Sequence, residues 1–410
     1  MSDRDFDIVV WGATGFTGAL VAEYLLDRYG IGQDLRWAIA GRSEDKLTAL
    51  KAELGADAAD LPTIVADSFD EEKLAAMAAS TKVVITTVGP YAKYGSPLVA
   101  ACVAHGTHYC DLAGEAQWIR KMVDEHHDAA VGSGARIVHC CGFDSVPMDI
   151  GVWFLQEEAK ARFGTYCESI SMLVKAMRGG ASGGTIASML NIIKEARADK
   201  NVARVMVAPY ALNPPDERDG PDGRDQQGVR YDDDAESWTG PFVMAGINTK
   251  VVRRSHALQG YPYGRDFRYH ESTMLGKGVG GMFRAGTLTA GLGGFVAASS
   301  FDFTRGQMEK YVLPKPGEGP NERQRENCFY DLRQFGRLPD GTVIRTRITG
   351  DRDPGYGSTS KMLAESGVCL AMNSLPSGGG VLTPAAAMGA ALLERLRTNA
   401  GLTFEVLDES

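Results

Sequence analysis

The chain has 410 residues, 43 Lys and Arg against 52 Asp and Glu, and a formal net charge of −9. That length accommodates two or more domains of about 100–200 residues each, and the absence of a Lys/Arg cluster excludes a nucleic-acid-binding face. The seven cysteines are scattered and odd in number, which excludes a disulfide framework and agrees with a reducing compartment.

The opening stretch MSDRDFDIVVWG has no basic start, apolar core or small-residue cleavage site, so a cytoplasmic location is expected. From Phe6 to about Ile150, short apolar runs alternate with helical stretches, as in a parallel sheet covered by helices. FDIVVWG predicts the first strand, and TGALVAEYLLDRYG a helix with Leu20 and Tyr24 on its apolar face. LRWAIAGR predicts the second strand, followed by a helix that Ser43 caps and Gly55 stops. PTIVAD, KVVITTVG, THYCDLAG and ARIVHCCG predict further strands, with SPLVAACVAHG and AQWIRKMVDEHHDAAVGSG as helices between them. The expected fold class is α/β, a Rossmann-type doubly wound parallel sheet over residues 1–150. His105, His108 and Cys110 lie close together, but HGTHYC matches no zinc spacing, and no metal site is expected.

After Asp149 the texture changes to that of an α+β domain, expected over 151–355 for substrate binding and dimerisation. CESISMLVKAMRG predicts a strand, and TIASMLNIIKEARAD a helix that begins at Ser182 or a glycine beside it. The acidic stretch from Asn213 to Trp238 predicts a solvated excursion, since its Asp residues do not follow a calcium-loop pattern. The segment from Met274 to Phe301 is apolar and glycine-rich, with Lys277 and Arg284 interrupting it too much for a spanning helix. Two readings of it stay open: a channel or membrane-surface element for an acyl chain, and a buried helical hairpin at a subunit interface. CFYDLRQFGRLPDGTVIRTRITG predicts a hairpin turning at Pro339-Asp340-Gly341. Two helices are predicted within 356–410, with Pro384 early in the second, returning to pack on the first domain.

Gly12, Gly15 and Gly18 stand between the first strand and its helix. The first allows the sharp turn, the second lets backbone approach a pyrophosphate, and the third permits close helix–strand packing. The free N–H groups of the helix start then meet the anion. The end of the second strand decides between dinucleotides: a carboxylate there would hold a ribose 2′-hydroxyl, but this chain has Arg42 and Ser43 after Gly41. A guanidinium and a hydroxyl suit a 2′-phosphate, which favours NADP(H) over NAD(H). Ligands of such sheets lie beyond the strand C-termini, so TTVGPYAKYG, YCDLAGE and CCGFDSVPMD supply the next candidates. These are Gly89, Pro90 and Tyr91; Asp111 and Glu115; and Cys141, Phe143, Asp144 and Ser145. Helix capping is the alternative role for Asp111 and Asp144.

GATGFTG, AGRS, TTVGPYAKYG, HYCDLAGE and GFDSVPMDIG, in this order, resemble the saccharopine dehydrogenase-like oxidoreductases, specifically their bacterial trans-acting enoyl reductase branch. The resemblance implies cofactor contacts at Gly12, Thr14, Gly15, Phe16, Thr17 and Gly18, with Arg42 and Ser43 on the 2′-phosphate. It implies nicotinamide-side contacts at Gly89, Pro90, Tyr91, Asp111, Cys141 and Asp144, but no one settled catalytic residue. The implied reaction is NADPH-dependent reduction of an α,β-unsaturated acyl or polyketide thioester in lipid biosynthesis. An acyl carrier or polyketide synthase would be the partner, the assembly a homodimer, and the membrane contact peripheral. Tyr91 is the first candidate proton donor, with Tyr94, Lys93 and Lys175 behind it, and Asp111 and Asp144 as further catalytic candidates. The alternatives are a saccharopine-like amino-acid or imine dehydrogenase, with Arg253, Arg254, Arg265 and Arg268 for substrate carboxylates, and a non-catalytic NADP(H)-binding lipid-surface protein.

Overall fold

The computed structural model describes residues 4–32, 34–179, 183–301, 304, 306–307 and 320–407. The chain forms two compact units. The first is built mainly from Met1–Phe143 and Tyr356–Ala400, the second from Asp144–Pro316, Pro320–Gly355 and Gly401–Ser410.

The first unit is organised on a seven-stranded sheet. Its strands are β1 (Phe6–Trp11), β2 (Trp37–Gly41), β3 (Thr63–Val65), β4 (Thr81–Thr86), β5 (His108–Cys110), β6 (Arg136–Val138) and β13 (Gly380–Leu382). They run in the order β13-β6-β5-β4-β1-β2-β3, and every recorded pairing is parallel. Reversal of strand order about β1 creates the crevice at which doubly wound sheets bind ligands. β1 and β2 read as unbroken apolar runs because helices cover both faces: Ile8, Val9, Val10, Ala38 and Ile39 are wholly buried. α1 (Phe16–Tyr29) follows β1, and α2 (Glu44–Leu54) follows β2, with the Ser43 side chain accepting from Lys46 N–H at 3.4 Å. The helix Gly357–Met372 also belongs to this unit. Its buried Glu365 accepts from Tyr24 Oη at 2.8 Å and Arg395 Nη1 at 3.0 Å, tying that helix and Pro384–Thr398 to α1.

The second unit is built on a mixed sheet of order β14-β12-β11-β7-β10-β9-β8. Its members are β7 (Ser169–Arg178), β8 (Arg230–Asp232), β9 (Ser237–Gly240), β10 (Arg268–Gly276), β11 (Phe329–Arg337), β12 (Val343–Gly350) and β14 (Leu402–Leu407). β11 and β12 form the expected hairpin, with Gly341 at φ 89° in its turn. α7 (Val146–Phe163) and α10 (Ala245–Leu258) bury most of their length, and Gly151 leaves room for Ile348, whose Cδ1 a Cβ there would meet at 2.4 Å.

Three expectations need correction. The acidic excursion ends in the β8–β9 hairpin at the sheet edge, because Trp238 and Thr239 pair with Tyr231 and Arg230. The 356–410 region is not helices alone: Gly380–Leu382 extends the first sheet, and Leu402–Leu407 pairs with β12 in the second. The Met274 segment is no helical hairpin but the end of β10 and one continuous helix, α11 (Gly278–Ser299), of which Gly281, Ala285 and Ser299 are buried within the single chain. Ser182 lies outside the described residues, and the helix expected there is described from Gly183 to Ala198. Among the described residues no helix is long and apolar enough to cross a membrane.

Candidate active site

The β1–α1 turn has the shape its glycines require. Gly12 sits at φ 85°, and a Cβ there would lie 2.6 Å from Val88 Cγ2. A Cβ on Gly18 would fall 2.2 Å from the Gly12 carbonyl oxygen, so only glycine lets α1 begin so close to β1. No side chain caps α1, and its first turn holds no acidic residue. The positive end of the helix dipole is thus left for an anion. Thr14 and Gly15 are exposed beside it, Phe16 and Thr17 partly so, and Phe16 packs edge-on against Tyr356 at 4.7 Å.

At the end of β2, Arg42 is exposed, and no hydrogen bond or ion pair reaches its guanidinium among the described residues. It precedes the N-terminus of α2, where a cation is unfavourable unless an anion offsets it. Ser43 caps α2 as an acceptor, which leaves its O–H free to donate, and Glu44 and Asp45 belong to the first helical turn. No carboxylate occupies the ribose position at the end of β2, so the residues present fit an NADP phosphate.

The three loops beyond the strand ends are locked together. Glu115, wholly buried, accepts from Tyr91 N–H at 2.8 Å and Ala92 N–H at 3.0 Å, and so caps the short helix Tyr91–Tyr94. Tyr91 donates to the Thr86 carbonyl and accepts from Leu112 N–H, both at 3.2 Å, while its ring stacks on Trp118. Asp111 accepts from Ala113 N–H at 3.0 Å, Cys140 N–H at 3.1 Å and Tyr109 Oη at 2.9 Å, and its carboxylate lies 2.7 Å from His139 Nδ1. The Gly89–Pro90 peptide is cis, with Gly89 exposed at the loop crest.

These contacts change the standing of three candidates. Tyr91 is 5% exposed, and burial, with the Asp111 charge beside it, pushes its phenol well above the ordinary value. Asp111 is 0% exposed and serves as an acceptor for two loops. The wholly buried Cys141 points its thiol back toward the Val138 carbonyl, 3.6 Å away. All three brace the loops, because their polar atoms are already engaged inside the protein. Of the reserve candidates, Tyr94 packs against Phe69, and Lys175 lies 4.0 Å from Asp331.

Asp144 differs. It is partly exposed, no hydrogen bond or ion pair reaches its carboxyl among the described residues, and burial pushes that carboxyl up to about 6. It caps nothing: the N-cap of α7 is Ser145, at φ 135° and ψ −35°. That backbone is strained for a residue with a side chain and persists where its surroundings hold it. Here a buried relay does so: Ser145 Oγ donates to Asn248 Oδ1 at 3.0 Å, Asn248 Nδ2 to Glu271 at 3.0 Å, and Tyr269 Oη to Glu271 at 2.9 Å. Burial pushes the Glu271 carboxyl up to about 8. Sequence reasoning missed Asn248 and Glu271, although the alternation of β10 offered a signal for a buried Glu271.

Each arginine that an imine dehydrogenase would turn to a multiply charged substrate meets at least one acceptor within the protein. Arg253 donates to Asp222 at 2.8 Å and to the Pro209 and Tyr269 carbonyls, and Arg254 to the Leu212 carbonyl. Arg265 pairs with Glu217 at 3.4 Å, and Arg268 donates to the Pro221 carbonyl.

Residues 8–138 match the family model of the saccharopine dehydrogenase NADP-binding domain. The trans-acting enoyl reductases of Mycobacterium bovis and Mycobacterium leprae are each 40% identical to this chain, over 406 and 404 residues and 96% of both chains. A further relative in Mycobacterium tuberculosis is 43% identical over 409 residues and 96% of both chains. The solved apo saccharopine dehydrogenase of Saccharomyces cerevisiae shares the fold at a TM-score of 0.54 and 13% identity, covering 98% of this chain and all of that one. With an NADP-binding domain over residues 8–138 and this full-length likeness, the chain belongs to the trans-acting enoyl reductase family, NADP-dependent oxidoreductases of the saccharopine dehydrogenase type.

Proposed function

We propose that this protein reduces the carbon–carbon double bond of an α,β-unsaturated acyl or polyketide thioester in lipid biosynthesis, with Asp144 as proton donor. The thioester is presented by a separate polyketide synthase or acyl carrier, as the word trans-acting in the relatives' names suggests. The glycine turn, Thr14, Phe16 and Thr17 hold the pyrophosphate side of NADPH, and Arg42 and Ser43 its 2′-phosphate. Gly89 and Pro90 line the nicotinamide side. A bound nicotinamide supplies the hydride, delivered to the β-carbon of the substrate. The electron pair then gathers on the thioester oxygen and α-carbon, and one proton completes the reduction.

The observation that supports this assignment is the state of Asp144. Tyr91, Asp111, Glu115, Cys141 and Ser145 spend their polar groups within the protein, whereas the Asp144 carboxyl has no such partner and is pushed up to about 6. A carboxyl that holds its proton nearer neutrality is matched to donation in the transition state. Tyr91, Asp111 and Glu115 act as positioning residues for the loops. A peripheral lipid contact and a homodimer belong to the same proposal. The exposed apolar residues of α11, Val279 at 78% and Phe283 at 74%, support the lipid contact.

NADPH oxidation measured with a trans-2-enoyl N-acetylcysteamine thioester, and NADP+ reduction measured with saccharopine, test the reading. Turnover is expected with the thioester and not with saccharopine. The reverse preference would overturn the enoyl assignment.

A further inference from the structure

The second unit contains a cavity of about 280 Å³ whose charge does not match its surroundings. Four arginines line it, Arg224, Arg230, Arg253 and Arg268, against two carboxylates, Asp222 and Asp225. Four positive charges less two negative leave an excess of two in a chain whose net charge is −9.

The donors on that wall are largely unspent. A guanidinium carries five N–H groups. Arg253 forms the floor at 4% exposure and uses three of its donors, on Asp222, the Pro209 carbonyl and the Tyr269 carbonyl. Arg268 uses one, on the Pro221 carbonyl at 2.8 Å. Arg224 and Arg230 are exposed, and no acceptor reaches either side chain among the described residues.

The nearby carboxylates form no ion pair with the rim arginines Arg224, Arg230 and Arg268 among the described residues; Asp222 is taken by Arg253 on the floor. Asp222 accepts from Arg253 at 2.8 Å and from Tyr269 N–H at 3.2 Å, and Asp225 accepts from Thr249 Oγ1 at 2.9 Å. Further along the same acidic stretch, Asp234 pairs with Arg337 and Glu236 with Lys277. What reads in sequence as a solvated acidic loop therefore presents arginines at this cavity.

We infer that this cavity binds a phosphate group, with Arg224, Arg230 and Arg268 gripping it from the rim and the buried Arg253 fixing the floor. An excess of two charges matches a phosphate dianion, and forked guanidiniums match its oxygens. The thioester reading above names the source: an acyl chain carried on a pantetheine arm, whether on coenzyme A or on a carrier protein, has a phosphate at the far end of that arm. The phosphate site itself stands apart from that reading, since it is tested by binding without turnover.

The test is isothermal titration calorimetry on the full chain saturated with NADPH, so that the dinucleotide site is filled. Coenzyme A is expected to bind, and the exposed double variant Arg224→Ala/Arg230→Ala to bind it about tenfold or more weakly. Thermal unfolding of the variant should match the parent, since neither side chain has a partner to lose. Pantetheine, which lacks the phosphate, is expected to bind at least about tenfold more weakly than coenzyme A. Pyrophosphate binding as tightly as coenzyme A would support the site with free phosphate as its source. Equal affinity of the double variant, equal affinity for pantetheine, or no uptake of either coenzyme A or pyrophosphate would overturn the inference.

Discussion

Replacing Asp144 by Asn removes one ionisable proton and almost no volume, and it should move activity and stability in opposite directions. In the folded chain the carboxyl is raised from 3.8 to about 6 by burial. The folded protein therefore holds that proton more tightly than the unfolded chain. The associated stability is fully present below pH 3.8 and is lost as pH rises through about 6. A rise from 3.8 to about 6 corresponds to about 3 kcal/mol, and the partial exposure of the side chain reduces this to roughly 1–2 kcal/mol. Asp144→Asn should accordingly be more stable than the parent by that amount at pH 8 and about equal to it at pH 3, as read by urea unfolding. The neutral carboxyl is also the proposed donor, so the parent's kcat for the enoyl thioester should fall as pH rises through about 6. The variant should be slower by about 10²–10⁴-fold with a flat profile over that range, while NADPH affinity stays the same. Parental turnover and pH profile in the variant would refute Asp144 as donor; a variant destabilised at pH 8 would refute the burial argument for its raised pKa.

Arg42→Ala should weaken NADPH binding by about 10- to 100-fold, the loss of roughly 1.5–3 kcal/mol of charge-assisted hydrogen bonding, and leave NADH unaffected. Fluorescence titration of both cofactors at two salt concentrations reads this, and equal retention of NADPH would remove Arg42 from the phosphate site. Tyr91→Phe keeps the ring on Trp118 but leaves the Leu112 N–H without its acceptor, which should cost about 1–3 kcal/mol in urea unfolding. Its effect on kcat should be smaller than that of Asp144→Asn, and the opposite ranking would make Tyr91 the donor. On α11, Phe283→Asp should abolish cosedimentation with phospholipid vesicles that the parent shows, and unchanged sedimentation would count against a lipid-facing role for that helix.

The first sheet was legible because both its faces are covered. Ile8 through Trp11 and Trp37 through Gly41 had only to be apolar, and helical stretches between such runs leave few topologies open. The second unit hid itself by a different route. α10, with the sequence AGINTKVVRRSHAL, carries Lys250, Arg253 and Arg254 on a helix buried for most of its length. Read as a pattern, those charges signal solvent. They are buried because Asp222 and the Leu212, Pro209 and Tyr269 carbonyls receive them, partners 16 to 44 residues away that no window on the helix contains. β14 is hidden for a simpler reason: Leu402 and Phe404 alternate with Thr403 and Glu405 just as a half-buried strand should, but so short a run directly after a helical stretch reads as its continuation. The candidate site divides along the same line. Local order placed Tyr91, Asp111 and Asp144 on loops past strand ends, a consequence of the sheet alone. Which of them remains chemically free was set by bonds between loops, 24 residues from Glu115 to Tyr91 and 29 from Asp111 to Cys140. A proton donor in a fold of this kind is identified by elimination among equally suitable residue types, and that elimination requires the tertiary contacts that satisfy all the others.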